Sequence, residues 1–98
     1  MFEYVVGLHV INEDLYAKYR ENMTPLLESF GGGFHYDFCV SDVLKTQTQN
    51  KINRVFTIYF PTKQASEKFF SHEEYLLIKE KYFEKAVEST TIISEYEK

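Results

Sequence analysis

The chain has 98 residues, with 11 Lys or Arg against 15 Asp or Glu and a formal net charge of −4. That length is one domain, and an acidic chain with no basic cluster excludes a nucleic-acid surface of the usual kind. Nine Phe and eight Tyr, with no Trp, are a heavy aromatic load for so small a core, and a shared interface would absorb it.

Phe2 to Ile11 reads as the first strand. Phe2, Tyr4, Val6, Leu8 and Val10 share one face, and Glu3, Val5, Gly7, His9 and Ile11 share the other. The second face is also mostly apolar, so this strand wants cover on both sides. No basic leader or long apolar run precedes it, and the cytoplasm is the expected setting.

Asn12 predicts an N-cap, with Glu13 and Asp14 in the first helical turn, where the helix dipole favours acids. Leu15, Tyr19, Leu26 and Phe30 fall on one helical stripe, with Tyr16, Met23 and Leu27 beside it. Pro25 lies inside the pattern and predicts a kink or a restart after Thr24. Gly31-Gly32-Gly33 stops the helix, since glycine tolerates the left-handed position that ends one. A phosphate cradle would need a strand before the glycines and a helix after them, which is the reverse order.

Phe34 to about Leu44 predicts a second strand by plain alternation: Phe34, Tyr36, Phe38 and Val40 one way, His35, Asp37, Cys39 and Ser41 the other. Lys45 to Asn53 is polar and predicts a mobile hairpin loop. Cys39 is the only cysteine, so no internal disulfide forms.

Arg54 to Phe60 predicts the central strand. Every residue after Arg54 is β-branched or aromatic. Val55, Thr57 and Tyr59 point one way and Phe56, Ile58 and Phe60 the other, so it too wants cover on both faces. Thr62 follows as an N-cap, and Ala65 and Phe69, with Phe70 beside them, make a short helical stripe. Ser71 and Glu74 have capping-box spacing and restart a helix whose stripe is Tyr75, Ile78, Tyr82 and Ala86. Thr90 to Tyr96, rich in β-branched residues, predicts the last strand.

The order β-α-β-β-α-β is the ferredoxin-like α+β arrangement, a four-stranded antiparallel sheet with the helices on one face. The helices cover one face only, yet two strands are apolar on both. A homodimer with two sheets face to face is the simplest cover.

Tyr4-Val5-Val6-Gly7, Leu15-Tyr16-Ala17-Lys18-Tyr19-Arg20, Phe30-Gly31-Gly32-Gly33-Phe34, Phe60-Pro61-Thr62 and Phe70-Ser71-His72-Glu73-Glu74-Tyr75 together resemble the domain-of-unknown-function family 1330, within the dimeric α+β-barrel superfamily. The resemblance spans nearly the whole chain. It departs at Asn12-Glu13, where Asp-Pro is expected, at Gly33, where Arg or Lys is common, and at His72, where Pro is common. The resemblance implies a dimer whose sheets form a barrel-like core. Superfamily relatives include cofactor-free monooxygenases, lactone isomerases, haem-degrading enzymes and proteins without known activity, so the fold guides the reaction weakly.

Polar residues on otherwise apolar strand faces are the candidates for chemistry, because burying them unpaired is costly. His9 interrupts the first strand, His35 and Asp37 lie two apart on the second, and Thr57 and Tyr59 two apart on the third. Converging, they would give an acid–base histidine, a carboxylate to orient it and a phenol donor. His9, His35, Asp37 and Tyr59 are the catalytic candidates for a cofactor-independent monooxygenase or isomerase acting on a small organic substrate. The bland alternative puts His35 and Asp37 in water on an edge strand and His9 in the core. A small-molecule-binding protein using the same cavity is the non-catalytic alternative. No metal or cofactor is expected, since His9, His35 and His72 lack ligand spacing and Cys39 stands alone. An RNA-recognition module shares the topology, but Arg54 to Phe60 lacks its glycine and the acidic charge opposes it.

Overall fold

Two strands, β1 (Phe2–Val10) and β3 (Arg54–Phe60), lie side by side and antiparallel at the centre of the sheet, Phe2 opposite Phe60 and Leu8 opposite Arg54. The computed structural model describes all 98 residues, Met1–Lys98. β2 (Gly33–Cys39) flanks β3 and β4 (Val87–Glu97) flanks β1, so the spatial order is β2-β3-β1-β4. This is the ferredoxin-like fold. The last strand is longer than the β-branched run alone predicts, because its pairing with β1 continues from Val10 opposite Val87 to Phe2 opposite Glu97.

The helix α1 (Glu13–Ser29) begins as expected at Asn12, whose side chain accepts a hydrogen bond from Leu15 N at 3.1 Å. It runs on through Pro25, and the Thr24 hydroxyl donates to the Arg20 carbonyl one turn back. Its buried ridge is Tyr16, Tyr19, Met23 and Leu27, shifted round from the predicted stripe. Gly31, at φ +79°, supplies the left-handed stop.

Thr62 caps α2 (Lys63–Ser71), accepting from Ala65 N at 3.1 Å. The predicted capping box does not form. Ser71 ends α2 and its hydroxyl donates back to the Glu67 carbonyl at 2.8 Å. His72 is the cap of α3 (Glu73–Ile78), its Nδ1 accepting from Glu74 N at 3.1 Å. An imidazole acceptor two residues before the free N–H does the work expected of Ser71. α3 continues through a π-helical turn (Lys79–Phe83) into a last helical turn, α4 (Glu84–Ala86).

All helices lie on one face of the sheet. Val6, Leu8 and Val10 of β1 and Phe56, Ile58 and Phe60 of β3 pack against Tyr16, Tyr19, Met23, Leu27, Phe69 and Tyr75. Core aromatics meet mostly edge to face, as at Phe30 and Phe69, 5.7 Å between centroids.

The opposite face is only partly bare. The segment between β2 and β3 does not swing free: Ile52 seats over Gly7, where an added β-carbon would lie 3.0 Å from its Cδ1. The Asn53 side chain binds both backbone groups of Val10, accepting from N and donating to O at 2.8 Å each. The predicted mobile loop is therefore pinned at its C-terminal end. Val5, Val55, Tyr36, Phe38 and Ile93 still leave apolar surface there, and Tyr36, Phe38 and Ile93 are exposed.

Candidate functional site: an apolar cavity and a carboxylate–imidazole pair on opposite faces

A cavity of about 100 Å³ lies between the sheet and helices α1 and α3. Leu8, Met23, Phe34, Ile58 and Phe83 give it apolar walls. Its polar wall is Tyr19, Arg20, Tyr75 and Thr90. The Tyr19 and Tyr75 hydroxyls are hydrogen-bonded to each other at 2.9 Å. Burial pushes both phenols up, Tyr19 well above the ordinary value, with the adjoining Tyr75 adding to it. The pair is neutral at physiological pH, so it can donate or accept a hydrogen bond but offers no base.

Arg20 is held on every side. Nε donates to Tyr16 Oη at 2.8 Å, Nη1 to Asp37 Oδ2 at 3.1 Å, and the guanidinium lies 4.0 Å from the Phe34 ring centroid. Arg54 also grips Asp37, Nε at 2.7 Å and Nη2 at 2.8 Å. Burial would raise the Asp37 carboxyl, but the hydrogen bonds and charges of Arg54 and Arg20 outweigh it and hold Asp37 below the ordinary carboxylate range.

Asp37 is thus on the helix side, while His35 is on the other. Strict alternation predicts that they share a face, and the structure corrects this. Phe34 pairs with Ile58 and Tyr36 with Thr57, which leaves His35 as the extra residue of a β-bulge. The Thr57 hydroxyl accepts from Tyr36 N at 2.9 Å, replacing the lost ladder bond. Beyond the bulge every side chain is turned over. Tyr36 and Phe38 face away from the helices, and Asp37 faces them.

His35 and Tyr59 do come together. Their rings stack with centroids 4.1 Å apart. His35 Nδ1 is hydrogen-bonded to Glu3 Oε1, Tyr96 Oη donates to Glu3 Oε2, and Lys98 Nζ lies 3.6 Å from Glu3 Oε2. The Glu3 side chain is only 2% exposed although no helix covers this face; its own hydrogen-bonding partners bury it. Burial would raise its carboxyl, but hydrogen bonds from Tyr96 and His35 and the charge of Lys98 hold it below the ordinary value. The hydrogen bond to Glu3, with a smaller contribution from desolvation, raises the Tyr96 phenol.

His9 does not join them. It lies six residues along β1 from Glu3, about 20 Å away at strand rise. Its Nδ1 is buried without a hydrogen bond, 3.5 Å from Glu88 Oε1. Of the four predicted residues, His35 and Tyr59 meet, and His9 and Asp37 lie elsewhere. Glu3 and Tyr96 are the residues missed. Glu3 had a signal, a carboxylate on the same apolar parity as Val5 and Gly7; Tyr96, 93 positions away, had none.

No protein-family model matches the chain, and no curated protein matches it. Solved structures do. A protein of unknown function from Rhodopseudomonas palustris superposes with a TM-score of 0.83 at 17% identity, covering 99% of this chain and 81% of that one. A proposed antibiotic biosynthesis monooxygenase from Nitrosomonas europaea gives 0.66 at 13% identity, covering 100% and 98%. A dabb family protein with a ferredoxin-like fold, from Mesorhizobium loti, gives 0.66 at 10% identity, covering 99% and 95%. Likeness at these identities carries the fold. No helix is long and apolar enough to cross a membrane.

Proposed function

We propose that the protein binds a small, largely apolar organic molecule between the sheet and α1 and α3, with one oxygen of the ligand on the Tyr19–Tyr75 pair. The observation that carries this is the cavity itself: apolar walls with a few convergent polar groups, the usual make-up of a small-molecule site. Its volume, about 100 Å³, is smaller than the roughly 150 Å³ apolar cavity that accepts benzene, so the ligand is compact or the walls give slightly. Linked phenols can still donate one O–H and accept at a lone pair, which suits a carbonyl or hydroxyl oxygen.

A cofactor-independent monooxygenase or isomerase acting on the same small molecule is the second reading, favoured by the neighbour from Nitrosomonas europaea. It needs a base at the ligand. The cavity offers two raised phenols, a threonine hydroxyl and a guanidinium already held by Asp37, so binding without turnover is the better supported reading.

A two-fold dimer through the open face belongs to this proposal, as does a cytoplasmic setting and the kinship with family 1330. Exposed Tyr36, Phe38 and Ile93 support a second copy as the cover. Light scattering across dilution tests it: a persistent dimer supports the cover, and a stable monomer removes it.

Titration with benzaldehyde and cyclohexanone, followed by thermal shift and by side-chain NMR of Ile58 and Phe83, tests the cavity. Saturable shifts are expected, weakened by Ile92→Phe, which adds bulk at a cavity-lining position that is 52% exposed and so tolerant of it. Shifts that are absent, or indifferent to that substitution, overturn the reading.

A further inference from the structure

We propose that the ligand of the cavity is a compact, largely apolar carboxylic acid, bound as its anion with the carboxylate on Arg20. This rests on the reading of the cavity as a small-molecule site and names the class of molecule it takes.

The charges around Arg20 do not balance. Arg20 and Arg54 share a single carboxylate, that of Asp37. The sharing is unequal: Arg54 holds it at 2.7 and 2.8 Å, Arg20 at 3.1 and 3.4 Å. Glu13 lies 3.9 Å from Arg54, and its side chain is 66% exposed, so water screens what it adds. One positive charge is left over, and the looser partner, Arg20, is the one free to offer it.

That charge lies at the cavity wall. Arg20 lines the cavity, and so do Phe34 and Phe56, whose ring centroids are 4.0 and 4.7 Å from its guanidinium carbon. The rings steady the cation but are poor acceptors for its N–H groups. The contacts to Tyr16 and Asp37 use one N–H on each guanidinium nitrogen, and each terminal nitrogen keeps a second N–H with no protein acceptor. Surplus charge and spare donors beside apolar walls select a carboxylate on a hydrocarbon body. The neutral Tyr19–Tyr75 pair has an O–H to donate, which suits a carboxylate oxygen as well as a carbonyl. Stripping water from the anion offsets part of the attraction, so the preference over an uncharged analogue should be about tenfold.

The test compares benzoate with benzaldehyde, which share a ring and differ at the group meant for Arg20, by NMR titration of Ile58 and Phe83 at neutral pH. Benzoate should bind about tenfold more tightly. Arg20→Gln should bring the two affinities together. Asp37→Asn removes the carboxylate that competes for Arg20 and should widen the preference for benzoate; it carries the test if Arg20→Gln does not fold. Ile92→Phe should weaken both ligands. Benzoate binding no tighter than benzaldehyde, a preference that survives Arg20→Gln, one that Asp37→Asn fails to widen, or benzoate binding indifferent to Ile92→Phe each overturns the proposal, while saturable benzaldehyde binding leaves the cavity reading standing. No saturable shift with either ligand overturns the cavity reading and this proposal with it.

Discussion

The Tyr59 hydroxyl occupies the space that a side chain at Gly33 would fill: a β-carbon built there would lie 2.6 Å from Oη and 2.9 Å from Cζ. The missing side chain is what lets the Tyr59 ring lie flat beside His35. Gly33→Ala should push that ring away and cost about 1–3 kcal/mol, the usual range for an inserted methyl without room. Denaturant unfolding reads the cost, and loss of the Tyr59 ring-current shift on the His35 imidazole protons reads the displacement. An unchanged imidazole spectrum would show that the stack does not need the glycine.

Acid should weaken the fold through two carboxylates. Glu3 and Asp37 are held below the ordinary carboxylate range when folded, despite the opposing effect of burial. In the unfolded chain they take up protons at about pH 4, so the unfolded state binds more protons below that point. Their contribution is full above the unfolded value and is lost as pH falls through the lower folded one. Unfolding free energy measured from neutral pH downward should fall over that window. Glu3→Gln and Asp37→Asn should each flatten the slope, and a slope indifferent to both would refute the assignment.

The two cavity phenols should behave as a unit. Tyr19→Phe or Tyr75→Phe alone strands one buried hydroxyl and should cost about 1–3 kcal/mol. Removing both leaves nothing stranded, so the double variant should be less destabilised than the two losses added together. A double-mutant cycle with no coupling would mean that the 2.9 Å hydrogen bond contributes nothing.

The start of α3 separates Ser71 from His72. His72→Ala should cost about 1 kcal/mol, as loss of a cap does. Ser71→Ala should stay within about 0.5 kcal/mol, since its hydroxyl serves a carbonyl at the end of α2. Thermal unfolding of the pair settles which residue caps.

Much of this architecture is legible along the chain. Runs such as Val55 to Phe60 can only be strands, Asn12 and Thr62 cap as their chemistry requires, and Gly31 stops its helix. The candidate site is less legible, for one local reason. Strand parity carries a site prediction only while every residue is paired, and one unpaired residue at His35 reverses everything after it. Nothing in the letters His35-Tyr36-Asp37 marks that step. It depends on a stack with Tyr59 and a hydrogen bond donated by Tyr36 N to the Thr57 hydroxyl, partners that lie across the sheet. Ser71 misleads differently: its spacing to Glu74 is right, but His72 stands closer to the N–H in need.

Asn53 joins the sheet at the mouth of the long connection, gripping Val10 through both ends of its amide while its own N–H reaches the Leu8 carbonyl at 2.9 Å. A connection clamped at its root passes little strain to what it connects. The exposed stretch around Gln47 and Thr48 can therefore serve as a grafting port: each doubling of its length adds only about 0.6 kcal/mol of closure entropy. A guest peptide displayed there would ride on the β-sheet without being woven into it.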